Sequence, residues 1–98
     1  AVLETAGPDW ENEWIDLLNA MAVFSMALGR HGDALEPSRK ILDWRLANDA
    51  TEPNTRLATA YSNYAHAHFE FGNYDRAIEL SRTAIATARK VVHMAYAY

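Results

Sequence analysis

Apolar positions recur along the chain at steps of three and four, in four stretches separated by breaks. Residues 1–7 have no clear period and read as a tail or the stub of an earlier element. Pro8 and Asp9 then mark a helix start, with Asp9 able to cap free N–H groups and Glu11 and Glu13 complementing the dipole of the first turn. From Trp10 the stripe Trp14, Leu17, Leu18, Met21, Ala22, Ser25 and Leu28 predicts an amphipathic helix that stops at Gly29. Gly32 and Asp33 open a second stripe, Ala34, Leu35, Ser38, Ile41, Leu42 and Arg45, running to about residue 47. Pro37 is expected in about its first turn, where a missing N–H costs least.

Residues 48–54 carry turn chemistry and predict a connector, with Asn54 or Thr55 capping the next helix. That third helix is predicted over 55–71, with Leu57, Ala58, Tyr61, Tyr64, Ala65 and His68 on one face, ending at the Gly72-Asn73 stop. The fourth begins at Tyr74 or Asp75. Ala77, Ile78, Ser81, Ala84, Ile85, Ala88 and Val92 carry it almost to the C-terminus, since no breaker intervenes.

The second and fourth stretches are related. Residues 26–42 lie over residues 69–85 without a gap, at a constant offset of 43. Gly29 falls on Gly72, Ala34 on Ala77, Glu36 on Glu79, Ser38 on Ser81 and Arg39 on Arg82. Glycine ends a helix where the chain must reverse, and alanine lets two antiparallel helices approach closely. A fixed period built of helix–turn–helix units marks an α-solenoid.

Composition narrows the picture. Ninety-eight residues, half of them apolar and 22% charged, suit one small domain rather than a disordered tail. Glycine, proline and β-branched residues are sparse and alanine is abundant, which favours helix over an all-β fold. There is no cysteine, so disulfides, thiolate metal sites and cysteine nucleophiles are excluded. Residues 1–50 hold nine acids and four bases, and residues 51–98 hold four acids and five bases. No basic cluster could neutralise several phosphates, so nucleic acid is not expected as a partner. No apolar run approaches the ~20 residues of a membrane helix and no segment reads as a signal peptide, from which a cytoplasmic, non-membrane protein is expected.

The spacing resembles the tetratricopeptide repeat across residues 10–92. The second unit carries it through Tyr61, Tyr64, Ala65, His68, Gly72, Tyr74, Ala77 and Ala84, and the first through Leu18, Met21, Ala22, Ser25, Gly29, His31, Ala34 and Ile41. The 43-residue period, the run Leu35-Glu36-Pro37-Ser38, the Glu52-Pro53 linker, and Asn19 and Asn63 resemble the longer kinesin-light-chain type. The resemblance implies an all-α, α–α superhelix of two units: a lead-in over 1–8, one repeat over 9–50 and a second over 51–98 with an extended last helix. It further implies a non-catalytic scaffold without a cofactor, holding a peptide or partner protein on a concave face. Carried onto this chain, that face comprises Asp16, Asn19, Val23 and Met26 from the first helix and Thr59, Ser62, Asn63, His66 and Phe69 from the third. Chaperone-binding members carry a basic clamp for a terminal carboxylate where this chain has Asp16, Asn19, Thr59 and Ser62, so no such clamp is expected.

Sharper chemistry finds little support. His66 and His68 lie on different helix faces, and the pair His66 and Glu70 supplies only two ligands, so no metal site is expected. No nucleophile elbow or phosphate loop accompanies the serines and histidines. Trp14 and Trp44 are expected in or near the first hairpin. Two units are fewer than the ~3 a solenoid usually needs, and the chain starts at Ala1 rather than Met, so a piece of a longer array is one expectation. The alternative function is homo-oligomerisation through the apolar last helix, with Ile85, Val92, Met94, Tyr96 and Tyr98 as interface candidates.

Overall fold

The computed structural model describes residues 10–96, and side chains to residue 95. The expectations placed on Pro8, Asp9, the Tyr96 side chain and Tyr98 lie outside the described residues. Four α-helices follow one another: α1 (Trp10–Ala27), α2 (His31–Asn48), α3 (Thr55–Phe71) and α4 (Tyr74–Tyr96), with no strand among the described residues. Each helix packs on the next in sequence, giving two helical hairpins joined by the α2–α3 connector. The molecule measures 42 × 38 × 18 Å, a slab two helices thick, as the all-α hairpin array requires.

Two glycines set the hairpins. At Gly29 φ is +76°, at Gly72 it is +98°, both in the left-handed region. Gly29 N–H donates to the Met26 carbonyl at 3.0 Å and Arg30 N–H to Ser25 at 2.8 Å; Gly72 N–H donates to Phe69 at 3.0 Å and Asn73 N–H to His68 at 2.8 Å. These are paired Schellman stops, 43 residues apart, that satisfy the last carbonyls of α1 and α3. The two hairpins therefore turn in the same way.

The start of α3 is fixed by Asn54, whose Oδ1 accepts from Leu57 N–H at 2.8 Å while its Nδ2 donates to the Asp49 carbonyl at 2.6 Å. Asp49 also receives Arg56 at 2.9 Å and Arg45 at 3.5 Å, so one carboxylate ties the end of α2 to the first turn of α3. Pro37 stands in the second turn of α2, later than predicted, because the helix already begins at His31. Its ring nitrogen leaves the Asp33 carbonyl without the usual i→i−4 donor.

Two clusters form the core. In one, Ile15, Leu18, Ile41, Leu42, Leu57 and Ala60 are buried, with Trp14, Trp44, Tyr61 and Tyr64 packed against them. In the other, Ala22, Ala34 and Ala67 bring α1, α2 and α3 together, flanked by Met26 and Leu35. Small side chains there permit the close approach predicted from the matched alanines; Ala77 is buried likewise. The Phe71 ring lies over Gly32, where a β-carbon would stand 3.0 Å away.

Two predicted faces are corrected. On α1, Leu17, Met21 and Leu28 are exposed, and the buried stripe is Ile15, Leu18 and Ala22. The helix is apolar on two adjacent stripes but, among the described residues, has packed neighbours on only one side. On α3, Ala60 and Ala67 are buried in addition to Leu57 and Ala65, because this helix packs against the first hairpin on one side and α4 on the other.

Candidate functional site

The cleft between α1 and α3 is the most concave feature that gathers the predicted residues. A cavity of about 270 Å³ is lined by Asn19, Ala22, Val23 and Met26 from α1, Ser38 from α2, and Asn63 and His66 from α3. Beside it lies a smaller hollow of about 160 Å³. Asn19 and Asn63 border this one too, with Ile15, Ile41, Arg45, Thr55, Arg56, Thr59 and Ala60. The two asparagines are thus shared by both hollows.

Six of the nine predicted groove residues meet here: Asn19, Val23, Met26, Thr59, Asn63 and His66. The other three do not line this cleft. Asp16 is exposed on α1. Ser62 borders a different hollow, between α3 and α4, with Ala58, Thr59, Ala84, Ile85 and Ala88. Phe69 is exposed and packs edge-on against Tyr74, ring centroids 5.4 Å apart. The split has a geometric cause. A cleft between two successive first-of-hairpin helices is walled by opposite edges of each, and the offset of 43 places Ser62 and Phe69 on the α3 edge equivalent to Asn19 and Met26. That edge faces away from α1.

The walls differ in chemistry. Val23, Met26 and Ala22 offer apolar surface, whereas Asn19, Asn63 and His66 offer donors and acceptors. Asn19, Asn63 and His66 are exposed, and His66 stands 3.8 Å from Glu70. Arg45 and Arg56 flank the smaller hollow but are engaged by Asp49. Ser38 at the floor is buried. Sequence reasoning left out Ser38, Arg45 and Arg56 as cleft residues. By spacing the first two are seam positions of α2, and nothing local announces that they reach the cleft across a helix pair.

His68 occupies the α3 face predicted for it. It is half-buried, stacks edge-on with Tyr64 at 4.6 Å, and its Nδ1 lies 3.1 Å from the Asn73 amide nitrogen. Burial, helped by the nearby Arg76 charge, holds its pKa below the ordinary 6.5. No group of three or more metal-ligating side chains comes together among the described residues. No helix of the described residues is long and apolar enough to cross a membrane.

Of the interface candidates, Ile85 and Val92 are exposed on α4 and Met94 is half-buried. Comparison with known families finds that residues 57–92, nearly all of α3 and most of α4, match the tetratricopeptide repeat. No curated protein and no solved structure matches the chain.

Proposed function

We infer, from a chain whose residues 57–92 are a tetratricopeptide repeat, that the α1–α3 cleft holds an extended segment of a partner protein. Such repeats generally mediate protein–protein interaction and are typically non-catalytic scaffolds. The observation that carries the reading is the convergence of Asn19 and Asn63 on both hollows, beside the apolar wall of Val23 and Met26. An extended peptide presents unpaired backbone amides and carbonyls, which carboxamides can both donate to and accept from. One apolar side chain of that peptide fits the larger hollow, and the α1 carboxylates Glu11, Glu13 and Asp16 favour a ligand without net negative charge.

Selection from a library of extended peptides, followed by titration, tests this. Asn63→Ala and His66→Ala should each weaken the selected peptides about tenfold, the worth of about one to two hydrogen bonds. Arg89→Ala, on α4, should leave binding unchanged. Peptides held equally well by both cleft variants would remove the groove assignment.

A further inference from the structure

We propose that copies of this chain stack head to tail, the α1 face of one copy seating on the α3–α4 end of the next as α3 seats on the first hairpin within one copy. The proposal gives specific geometry to self-assembly and does not rest on the peptide cleft.

The repeat itself defines the vacant seat. Leu35, Ser38 and Leu42 of α2 become Ile78, Ser81 and Ile85 of α4 at the offset of 43. Leu42 is 5% exposed but Ile85 is 52% exposed; Ser38 is buried whereas Ser81 is open. Equal chemistry at equivalent positions differs only in whether a helix lies above it. The hollows agree. In the smaller hollow of the cleft the first hairpin contributes Ile15, Asn19, Ile41 and Arg45. Their equivalents Ala58, Ser62, Ala84 and Ala88 all line the hollow of about 290 Å³ at the far end, with Thr59 and Ile85.

The occupant is indicated by side-chain size and by charge. Within the chain, the seat beneath Ala60 is large (Ile15, Ile41) and Ala60 itself is small, 3% exposed. At the vacant end the seat has shrunk to Ala58, Ala84 and Ala88. The residue of α1 equivalent to Ala60 is correspondingly large, Leu17, at 59% exposure, and Phe24 is exposed at 66% further along the same helix. Leu28, the equivalent of Phe71, is exposed beside them. At this position the two surfaces therefore exchange volume, as close packing demands. Charge is complementary as well: α1 carries three carboxylates and no Lys or Arg, while α4 carries four Lys or Arg against two carboxylates. A second copy of this chain supplies both halves.

A head-to-tail contact is heterologous, so it propagates instead of closing at a pair. Sedimentation of the full chain from about 1 µM to about 1 mM, the range in which small interfaces associate, should show mass rising past two chains. Two variants then separate the arrangements: Leu17→Glu with Phe24→Glu removes the α1 face, and Ile78→Glu with Ile85→Glu removes the seat. Each alone should remain a monomer with unchanged helical circular dichroism, and an equal mixture should give a species of two chains and no larger. Should either pair unfold the chain, the glutamine versions serve, at a loss of association of at least tenfold. A wild type that stays monomeric at the highest concentration overturns the proposal. So does a variant of either kind that dimerises alone, which would mean a symmetric α4–α4 or α1–α1 contact, or a mixture that fails to associate.

Discussion

Replacing Ala67 with leucine probes the point at which three helices meet. Ala67 and Ala34 are fully buried and Ala22 nearly so, each on a different helix. Leucine adds three carbons to a fully buried position in this alanine cluster, so either α3 moves away from α1 and α2 or the new side chain leaves its preferred rotamer. Overpacking of this kind costs about 1–3 kcal/mol. For a chain of this size each kcal/mol lowers Tm by about 4–8 °C, so Ala67→Leu should melt roughly 5–20 °C below the parent in a circular dichroism scan. Ala86→Leu, on the exposed side of α4, adds the same carbons without crowding and should lie within about 0.5 kcal/mol of the parent. Because His66 and Asn63 sit on the same helix, displacement of α3 should also lower affinity for any peptide selected on the cleft. A Tm for Ala67→Leu within about 2 °C of the Ala86→Leu control would refute the close three-helix approach on which the cleft depends.

Two more outcomes concern the turns and His68. Gly72 has φ +98° and open space where a β-carbon would go, so Gly72→Ala should lose about 1–2 kcal/mol in urea melts from backbone conformation alone. Gly72→Asn should recover part of that loss; equal losses would point to a contact instead. His68 titrates below 6.5 in the folded chain, so on acidification the unfolded chain takes up this proton first. Its contribution is intact above 6.5 and lost as pH falls from there toward the folded value. The urea midpoint should therefore drop more between about pH 7.5 and about pH 5.5 in the parent than in His68→Phe, and equal drops would exclude His68 as the source.

The ends of the helices were the most legible part of the fold. Gly29, Gly72 and Asn54 each have one physical task that few other residues perform, so the sequence announces them. The 43-residue offset carried the hairpin arrangement in the same way. Faces were harder. Trp14, Leu17, Leu18, Met21, Ala22 and Leu28 satisfy helical spacing on two neighbouring stripes, and periodicity cannot say which of them has a partner. Ala60 and Ala67 were missed for the opposite reason: alanine announces no face, yet it is what a helix pressed from both sides requires. In the candidate site, three of the four α1 residues named from the resemblance, Asn19, Val23 and Met26, border the cleft and Asp16 does not. The α3 edge could not be read fully, because the equivalent residues Ser62 and Phe69 face the next position in the array and not the cleft.

The unequal support of the four helices bears on how the chain opens. α3 is flanked on both sides, whereas α4 packs chiefly against α3 and, among the described residues, its last buried one is Ala84, although the helix continues to Tyr96. Amide protons should therefore exchange with solvent in a spatial order, fastest along the final turns of α4 and slowest in the middle of α3. Fraying from that end would uncover Ala84 and then Leu80 before it disturbed the cleft. An observer following deuterium uptake would see the molecule come apart like a stack read from its outer edge inward.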